Sequence, residues 1–574
     1  MAPTNTDMTI DWDVPVPIDD GLILRADIFR PAAAGRYPVI LSYGPYGKGL
    51  AFQDGYRTAW DIMVRDHPDA AAGSSNAYQN WEVVDPEKWV PDGYVCVRVD
   101  SRGAGRSPGF IDHHSPRETQ DLYQCIEWAG AQPWSSGKVG LNGISYYATN
   151  QWRVAALQPP HLAAICVWEG YADRYRDSTH HGGIVCTFQK NWQEMQVRTV
   201  QHGLGEHGPR SRVTGELVCG PQTLSEAELA ANRAALWDEI IAHPLDDDYY
   251  QVRSAQWDRV TAPLLSAANW GGQGLHLRGN IEGFMRAASS RKWLEVHGDS
   301  HWSMFYTDYG VSLQKAFFDF FLKGEANGWD ARPRVQLQVR HVDRFAERQE
   351  NEWPLARTQW TRFLLDGHAM ALSSAPATGS WRREFAALGE GLTFATAPLE
   401  RQTEITGPLA AKLFVSSSTS DADIFLVFRV FAPDGAEVVF QGALDPHTPV
   451  GQGWLRASHR KLDPQLTLPY RPYHPHDEMQ PLTPGEIVEL DIEIWPTCIV
   501  VPPGHRIALT VRGKDYEYSG AAAHLSNMKN PMRGCGPFVH DDPQDRPPQI
   551  FGGTTTLHAT AQMQPYLLLP IIPP

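Results

Sequence analysis

The 574-residue sequence predicts an α/β core with a mainly parallel sheet, a helical insertion within it and an all-β unit after it. Three textures along the chain predict this. Apolar strands alternate with helical segments over 1–170, the pattern turns helical over 171–255, and buried strands resume over 256–328. From 329 to 574, short strands separated by Pro and Gly turns suggest a sandwich or jelly roll. The length leaves room for roughly two to four domains.

In the first region, 22–28, 39–42 and 94–99 read as strands. The run 117–129 reads as a helix, with Ser115 as N-cap, Pro116 at its first position and Glu118 completing a capping box. Two further strands, 138–141 and 162–168, follow. In the insertion, 224–243 reads as one helix opened by the capping box Ser225-x-x-Glu228 and stopped by Pro244. Strands 263–267 and 293–296 resume the sheet, and helix 313–322 is capped by Gly324. A helical block between late strands of a sheet predicts a lid over a site. Beyond 329, the alternating run 335–339 and the strands 425–431, 487–494 and 507–511 read as members of the all-β unit.

Composition excludes several function classes. Hydrophobic residues make up 42% and charged residues 20%, and no apolar run approaches membrane-spanning length. The net charge of −16 argues against a nucleic-acid surface. The polar, acidic stretch 1–13 lacks the features of a secretory signal, so a cytoplasmic protein is expected. Seven scattered cysteines with no Cys-x-x-Cys pair indicate neither disulfides nor zinc. His474-Pro475-His476-Asp477 lacks further ligands nearby, and His180-His181 is expected to line a pocket beneath the lid. Neither a metal nor a cofactor is expected.

The chemistry is carried by Gly143-Ile144-Ser145-Tyr146, where strand 138–141 gives way directly to the helical run 146–157. Such an elbow holds the serine Oγ clear of the backbone. Tyr147 stands where the last glycine of a full Gly-x-Ser-x-Gly usually sits. A serine nucleophile needs a base and an acid to orient it. His301, in the loop after strand 293–296, is the candidate base, while His297 closes the strand itself. The loop 269–274 carries no carboxylate, so Glu169, at the end of the neighbouring strand, is the favoured acid, with Asp173, Glu282 and Asp299 as alternatives. The N–H of Tyr146 and the hydroxyl of Tyr46 are the candidate oxyanion donors. Trp152, Trp168 and Trp270 are the candidate pocket-lining residues.

The sequence resembles the CocE/NonD family, the cocaine-esterase and X-prolyl dipeptidyl-peptidase-like serine hydrolases. The resemblance rests on Ile28-Phe29-Arg30-Pro31, Gly44-Pro45-Tyr46, Asp100-Ser101-Arg102-Gly103 with Gly105, Ser107 and Gly109, and Trp134 to Gly140 running into the elbow. It continues through Asp173-Arg174-Tyr175-Arg176 with Gly182-Gly183, Asp421-Ala422-Asp423, Leu455 to Arg460 and Gly504-His505-Arg506. It implies an α/β-hydrolase core, a helical cap and a C-terminal jelly roll, with Ser145 as nucleophile, His301 as base, and Tyr46 with Tyr146 as oxyanion hole. The family's Gly-Trp-Tyr-Asp acid motif reads Asn269-Trp270-Gly271-Gly272 here. The expected activity is hydrolysis of small-molecule acyl esters or amides through an acyl-enzyme. The alternatives are an X-Pro peptidase, a β-lactam-type acylase and a non-catalytic binding protein. A small molecule is the expected partner, with a homo-oligomer possible and neither nucleic acid nor membrane involved.

Overall fold

The computed structural model describes residues 8–375, 377 and 379–573; residues 1–7 of the polar N-terminal stretch lie outside it. A ten-stranded sheet organises the first part. Its strands are β1 (Met8–Pro17), β2 (Ile23–Pro31), β3 (Tyr37–Gly44), β4 (Val95–Asp100), β5 (Ser135–Ile144), β6 (Leu162–Trp168), β7 (Leu264–Asn269), β8 (Lys292–His297), β9 (Val335–Arg340) and β10 (Phe345–Glu350). The spatial order is β1-β2-β4-β3-β5-β6-β7-β8-β9-β10. Strands β4 through β9 in that order run parallel, and β1, β2 and β10 pair antiparallel at the two edges.

Because side chains alternate along a strand, the sheet carries a core on each face. Ile40, Cys96, Cys166, Leu265 and Trp293 join one cluster with Phe317 and Phe318 of helix Asp308–Phe318. Val39, Leu41, Val97, Val139 and Ile165 join the other, under helices α1 (Pro116–Gly130) and α2 (Tyr146–Ala156). Since the central strands are parallel, Ile144, Trp168, Asn269 and His297 end on one edge. Ile144 pairs with Trp168, Trp168 with Ala267, and His297 with Asn269. That register places every loop expected to carry chemistry side by side.

Two expectations are corrected. The alternating run 335–339 belongs to the α/β sheet, as does β10, so the sheet continues past the expected boundary at 329. Alternation identifies a strand but not the sheet that takes it; β9 follows a crossover helix and therefore lies parallel to β8. The expected helix over 224–243 is two helices, Glu226–Ala231 and Leu236–Ala242. Between them the Ile111 N–H donates to Asn232 O and the Ala234 N–H to Ile111 O. Backbone groups engaged with another segment cannot continue a helical ladder. The capping box of Ser225 and Glu228 forms as expected.

From Gln359 onward the chain is a β unit, antiparallel except where Ala371–Ser373 pairs with Leu392–Ala395. Nine strands close on themselves in the order Thr403–Ser417, Val488–Val501, Gly451–Arg456, Asp423–Phe431, Arg506–Arg512, Leu392–Ala395, Ala371–Ser373, Gln359–Asp366 and Tyr566–Ile572, the last pairing back with the first. Closure leaves few free edges and encloses one apolar core. Buried Arg340 of β9 joins the two units by donating to Cys498 O, Val450 O and Thr497 Oγ1. Among the described residues, no helix is long and apolar enough to cross a membrane.

Candidate active site

Ser145 sits between β5 and α2 with φ 58° and ψ −111°, a backbone conformation that costs energy for a non-glycine residue. From Val139 to Ala156 every residue is buried except Ser145. The turn is held by the Ser145 N–H, which donates to Trp168 O (3.2 Å) and Glu169 O (3.1 Å). Gly143 is required because a Cβ there would lie 2.5 Å from the Cβ of Tyr147. Tyr147, in the place of the missing glycine, is accommodated by Gly44, where a Cβ would come within 2.6 Å of its ring. Glu82 (φ 63°), Glu169 (φ 46°) and Asp299 (φ 83°) repeat the left-handed conformation around the same site. Strain of this kind persists only where the surroundings over-determine the backbone.

His301 Nδ1 lies 2.9 Å from Glu169 Oε2. The other Glu169 oxygen is approached by His297 Nε2 at 3.1 Å and accepts from Asn269 Nδ2 at 3.2 Å. His297 Nδ1 in turn meets Glu295 Oε2 at 2.8 Å. The alternative acids are engaged elsewhere: Asp173 with Arg176, Glu282 with Arg471, and Asp299 with His67. Burial acts to raise the Glu169 carboxyl, but His301 and His297 prevail and hold it below the usual carboxylate range. Burial likewise acts to lower His301, and Glu169 with Glu82 outweighs it, raising the ring to about 9.

Three site residues escaped the sequence reading. Glu82 Oε1 lies 3.0 Å from His301 Nε2, and burial pushes its carboxyl up to about 7 against the pull of that imidazole. The Ile144 N–H donates to Glu82 O (2.9 Å), which fixes Glu82 to the elbow. His276 Nε2 lies 3.1 Å from Ser145 Oγ. The Tyr171 N–H donates to His276 Nδ1 (3.1 Å), so the ring proton resides on Nε2 and His276 donates to the serine. Burial, with His301 stacked alongside, pushes His276 well below its ordinary value. Glu118 is the third. Its carboxylate accepts from the His114 N–H (2.6 Å) and the Tyr146 hydroxyl (2.6 and 2.8 Å) rather than from the Ser115 N–H, so the expected capping box is not closed. The signal available for His276 was its position shortly after β7; Glu82 lies in an irregular segment with no period to read.

These groups open into a cleft of ≈ 600 Å³, counting its mouth. Tyr46, Trp81, Tyr171, Phe188, Trp192 and Leu444 supply most of its apolar wall, and Ser145, His276, His301 and Glu82 its polar floor. The Tyr46 hydroxyl accepts from Trp192 Nε1 (3.0 Å), leaving its own proton available. Tyr146 opens α2, so its N–H has no acceptor within the helix. The β unit completes the cleft through Ala443, whose carbonyl accepts the His301 N–H (2.8 Å).

The three expected pocket tryptophans are corrected. Trp152, Trp168 and Trp270 are wholly buried and none lines the cleft. Trp152, on the buried face of α2, packs against Trp257, Trp168 stacks on His297, and Trp270 donates to Gln338 O. Their place in the cleft is taken by Trp81 and Trp192. His180 and His181 also lie outside the cleft wall, buried against the β unit.

Known proteins are similar to this chain in sequence and fold. The model of the X-Pro dipeptidyl-peptidase (S15 family) matches residues 20–303, and that of the X-Pro dipeptidyl-peptidase C-terminal non-catalytic domain matches residues 327–537. A cocaine esterase of Rhodococcus sp. (strain MB1 Bresler) is 26% identical over 88% of this chain and 90% of its own. A putative Xaa-Pro dipeptidyl-peptidase of Streptomyces avermitilis is 24% identical over 86% of this chain and 76% of its own. The crystal structure of a CocE/NonD family hydrolase from Staphylococcus aureus superposes with a TM-score of 0.84 at 30% identity, covering 99% of this chain and 94% of that one. With its elbow serine, its α/β sheet and its closed β unit, the chain belongs to the CocE/NonD family of serine hydrolases.

Proposed function

We infer that the cleft hydrolyses small, uncharged acyl esters, and amides more slowly, through an acyl-enzyme on Ser145. The observation that carries this reading is the Glu169–His301 contact of 2.9 Å beside the one accessible residue of the elbow. In the reaction His301 Nε2 exchanges its contact with Glu82 Oε1 for Ser145 Oγ and takes the serine proton as Oγ attacks the acyl carbon, while Glu169 holds the ring with its proton on Nδ1. The oxyanion receives the Tyr146 N–H and the Tyr46 hydroxyl. His301 then protonates the leaving alkoxide, and water releases the acid by the same steps in reverse order. His276 cannot serve as base in the tautomer that Tyr171 imposes; it is a positioning residue for Oγ. The predominantly apolar wall favours an uncharged acyl group.

A panel of p-nitrophenyl esters of graded chain length, set beside p-nitroanilides that include X-Pro, tests this. Short-chain esters are expected to give the highest kcat/KM. Faster turnover of an X-Pro anilide than of every ester would favour the peptidase reading instead.

The pH profile tests the assignment of His301. A base must be neutral, and a ring raised to about 9 is still imidazolium at neutral pH. The ascending limb of kcat/KM is therefore expected near pH 9, above the ordinary imidazole value. Glu82→Gln removes one of the two carboxylates that raise the ring, so the limb should move to lower pH by about one pH unit or more. An unmoved limb would exclude His301 as the titrating base.

A further inference from the structure

Away from the cleft, a hairpin of the inserted region presses into the β unit. His180–His181 pairs with Ile184–Val185, the Arg456 N–H donates to Gly182 O (2.8 Å), and the Thr187 N–H donates to Val539 O (2.9 Å). This brings His181, Cys186 and His540 together from segments far apart in sequence. All three are buried, and their ligand atoms lie within 4.8 Å of one another.

The hydrogen bonds around the two rings determine where their protons reside. His540 Nδ1 faces Asp515 Oδ1 at 2.8 Å, and the same carboxylate accepts the His540 N–H at 2.6 Å. An acceptor-only partner fixes the His540 proton on Nδ1 and leaves Nε2 a bare lone pair. His181 Nε2 faces the carbonyl of Asp177 at 3.2 Å, which by the same reasoning leaves Nδ1 bare. In these tautomers the two bare nitrogens face each other at 2.8 Å, a contact that either a shared proton or a bound metal ion relieves. The Asp177 carboxylate is not free to do so, since it accepts from Arg278 and from the N–H groups of Ala172 and Asp173. A carboxylate on one ring and a backbone carbonyl on the other are the usual outer partners of metal-bound imidazoles. The rings of Trp454 and Trp495 around His181 add an apolar shell.

We propose that His181 Nδ1, His540 Nε2 and Cys186 Sγ bind a zinc-class divalent cation that fastens the hairpin to the β unit. One thiolate and two imidazoles suit a borderline-soft tetrahedral ion, with a water as fourth ligand. Nitrogens on such an ion stand about 3.3 Å apart, so the rings would part by a few tenths of an ångström. Binding forms the Cys186 thiolate–metal bond and releases the thiol proton to solvent. Phe188 and Trp192, immediately downstream of Cys186, line the cleft, so the ion would also brace that wall.

The test uses the full chain, freed of metal by a chelator and then titrated with Zn²⁺ or Co²⁺. Roughly one ion per chain should survive exhaustive dialysis by elemental analysis. Co²⁺ should give a thiolate charge-transfer band and the visible bands of tetrahedral cobalt, and Zn²⁺ should raise Tm. Cys186→Ser should lose the charge-transfer band, and His540→Gln should weaken retention at least about tenfold. A native chain that retains no ion and gives no cobalt spectrum overturns the proposal without recourse to variants. Equal retention and an unchanged spectrum in both folded variants would overturn it as well, by placing the ion elsewhere.

Discussion

Ser145→Ala is expected to lower kcat on a short-chain p-nitrophenyl ester by about 10⁶-fold, or about 8 kcal/mol of activation free energy. The size of the loss follows from what the hydroxyl does in the proposed reaction. Without Oγ there is no acyl-enzyme, and the Tyr146 N–H, the Tyr46 hydroxyl and the apolar wall can only bind substrate. Oxyanion donors and binding alone leave about 10³–10⁴-fold over water in the subtilisin and chymotrypsin templates. The fold should tolerate the change, because the elbow is held by Gly143 and by backbone bonds to Trp168 and Glu169, none of which uses the side chain. The one polar loss is the acceptor of His276 Nε2–H, costing about 1–3 kcal/mol of stability. A fluorophosphonate should label the parent on the peptide containing Ser145 and leave the folded variant unlabelled. Labelling at another serine, or turnover within tenfold of the parent, would exclude Ser145 as nucleophile.

Much of this arrangement was legible because it follows strand ends. Ser145, Glu169 and His301 each come immediately or a few residues after an apolar strand, and parallel strands deliver their C-terminal ends to one edge. The Glu169–His301 contact could therefore be anticipated from two strands and a missing carboxylate in loop 269–274. What escaped depends on orientation or on long-range pairing. The role of His276 turns on a single backbone N–H, that of Tyr171, which fixes its tautomer. Glu82 reaches His301 from a segment with neither helical nor strand period. Trp152, Trp168 and Trp270 illustrate the converse, since indole side chains serve cores and clefts equally well and abundance does not distinguish them. The helix expected over 224–243 was broken by pairing with Ile111, far away in sequence. The trio of His181, Cys186 and His540 has no spacing to read because two hydrogen-bonded segments meet only in the fold.

Glu169→Gln is expected to lower kcat on the alkaline plateau by about 10⁴-fold, or about 5.5 kcal/mol. The amide keeps the volume and can still accept through its oxygen, but its NH₂ can donate to His301 Nδ1 and so favours the tautomer that leaves Nε2 unable to take the serine proton. Glu169 also receives His297 and Asn269, so the variant disturbs a buried network and some loss of stability is expected. His297 retains Glu295 at 2.8 Å, which should preserve the fold and permit assay well below Tm. Glu82→Gln is the informative counterpart. It removes a buried carboxylate from the opposite nitrogen of the same imidazole, so both variants take a negative charge away from His301. If charge alone mattered, the two would behave alike. If Glu169 orients the ring, only Glu169→Gln should lose kcat on the alkaline plateau, while Glu82→Gln shifts the limb and keeps most of the plateau rate. A folded Glu169→Gln within tenfold of the parent would exclude Glu169 as the orienting acid, and the same measurement on Asp173→Asn, Glu282→Gln and Asp299→Asn would then find the carboxylate that is.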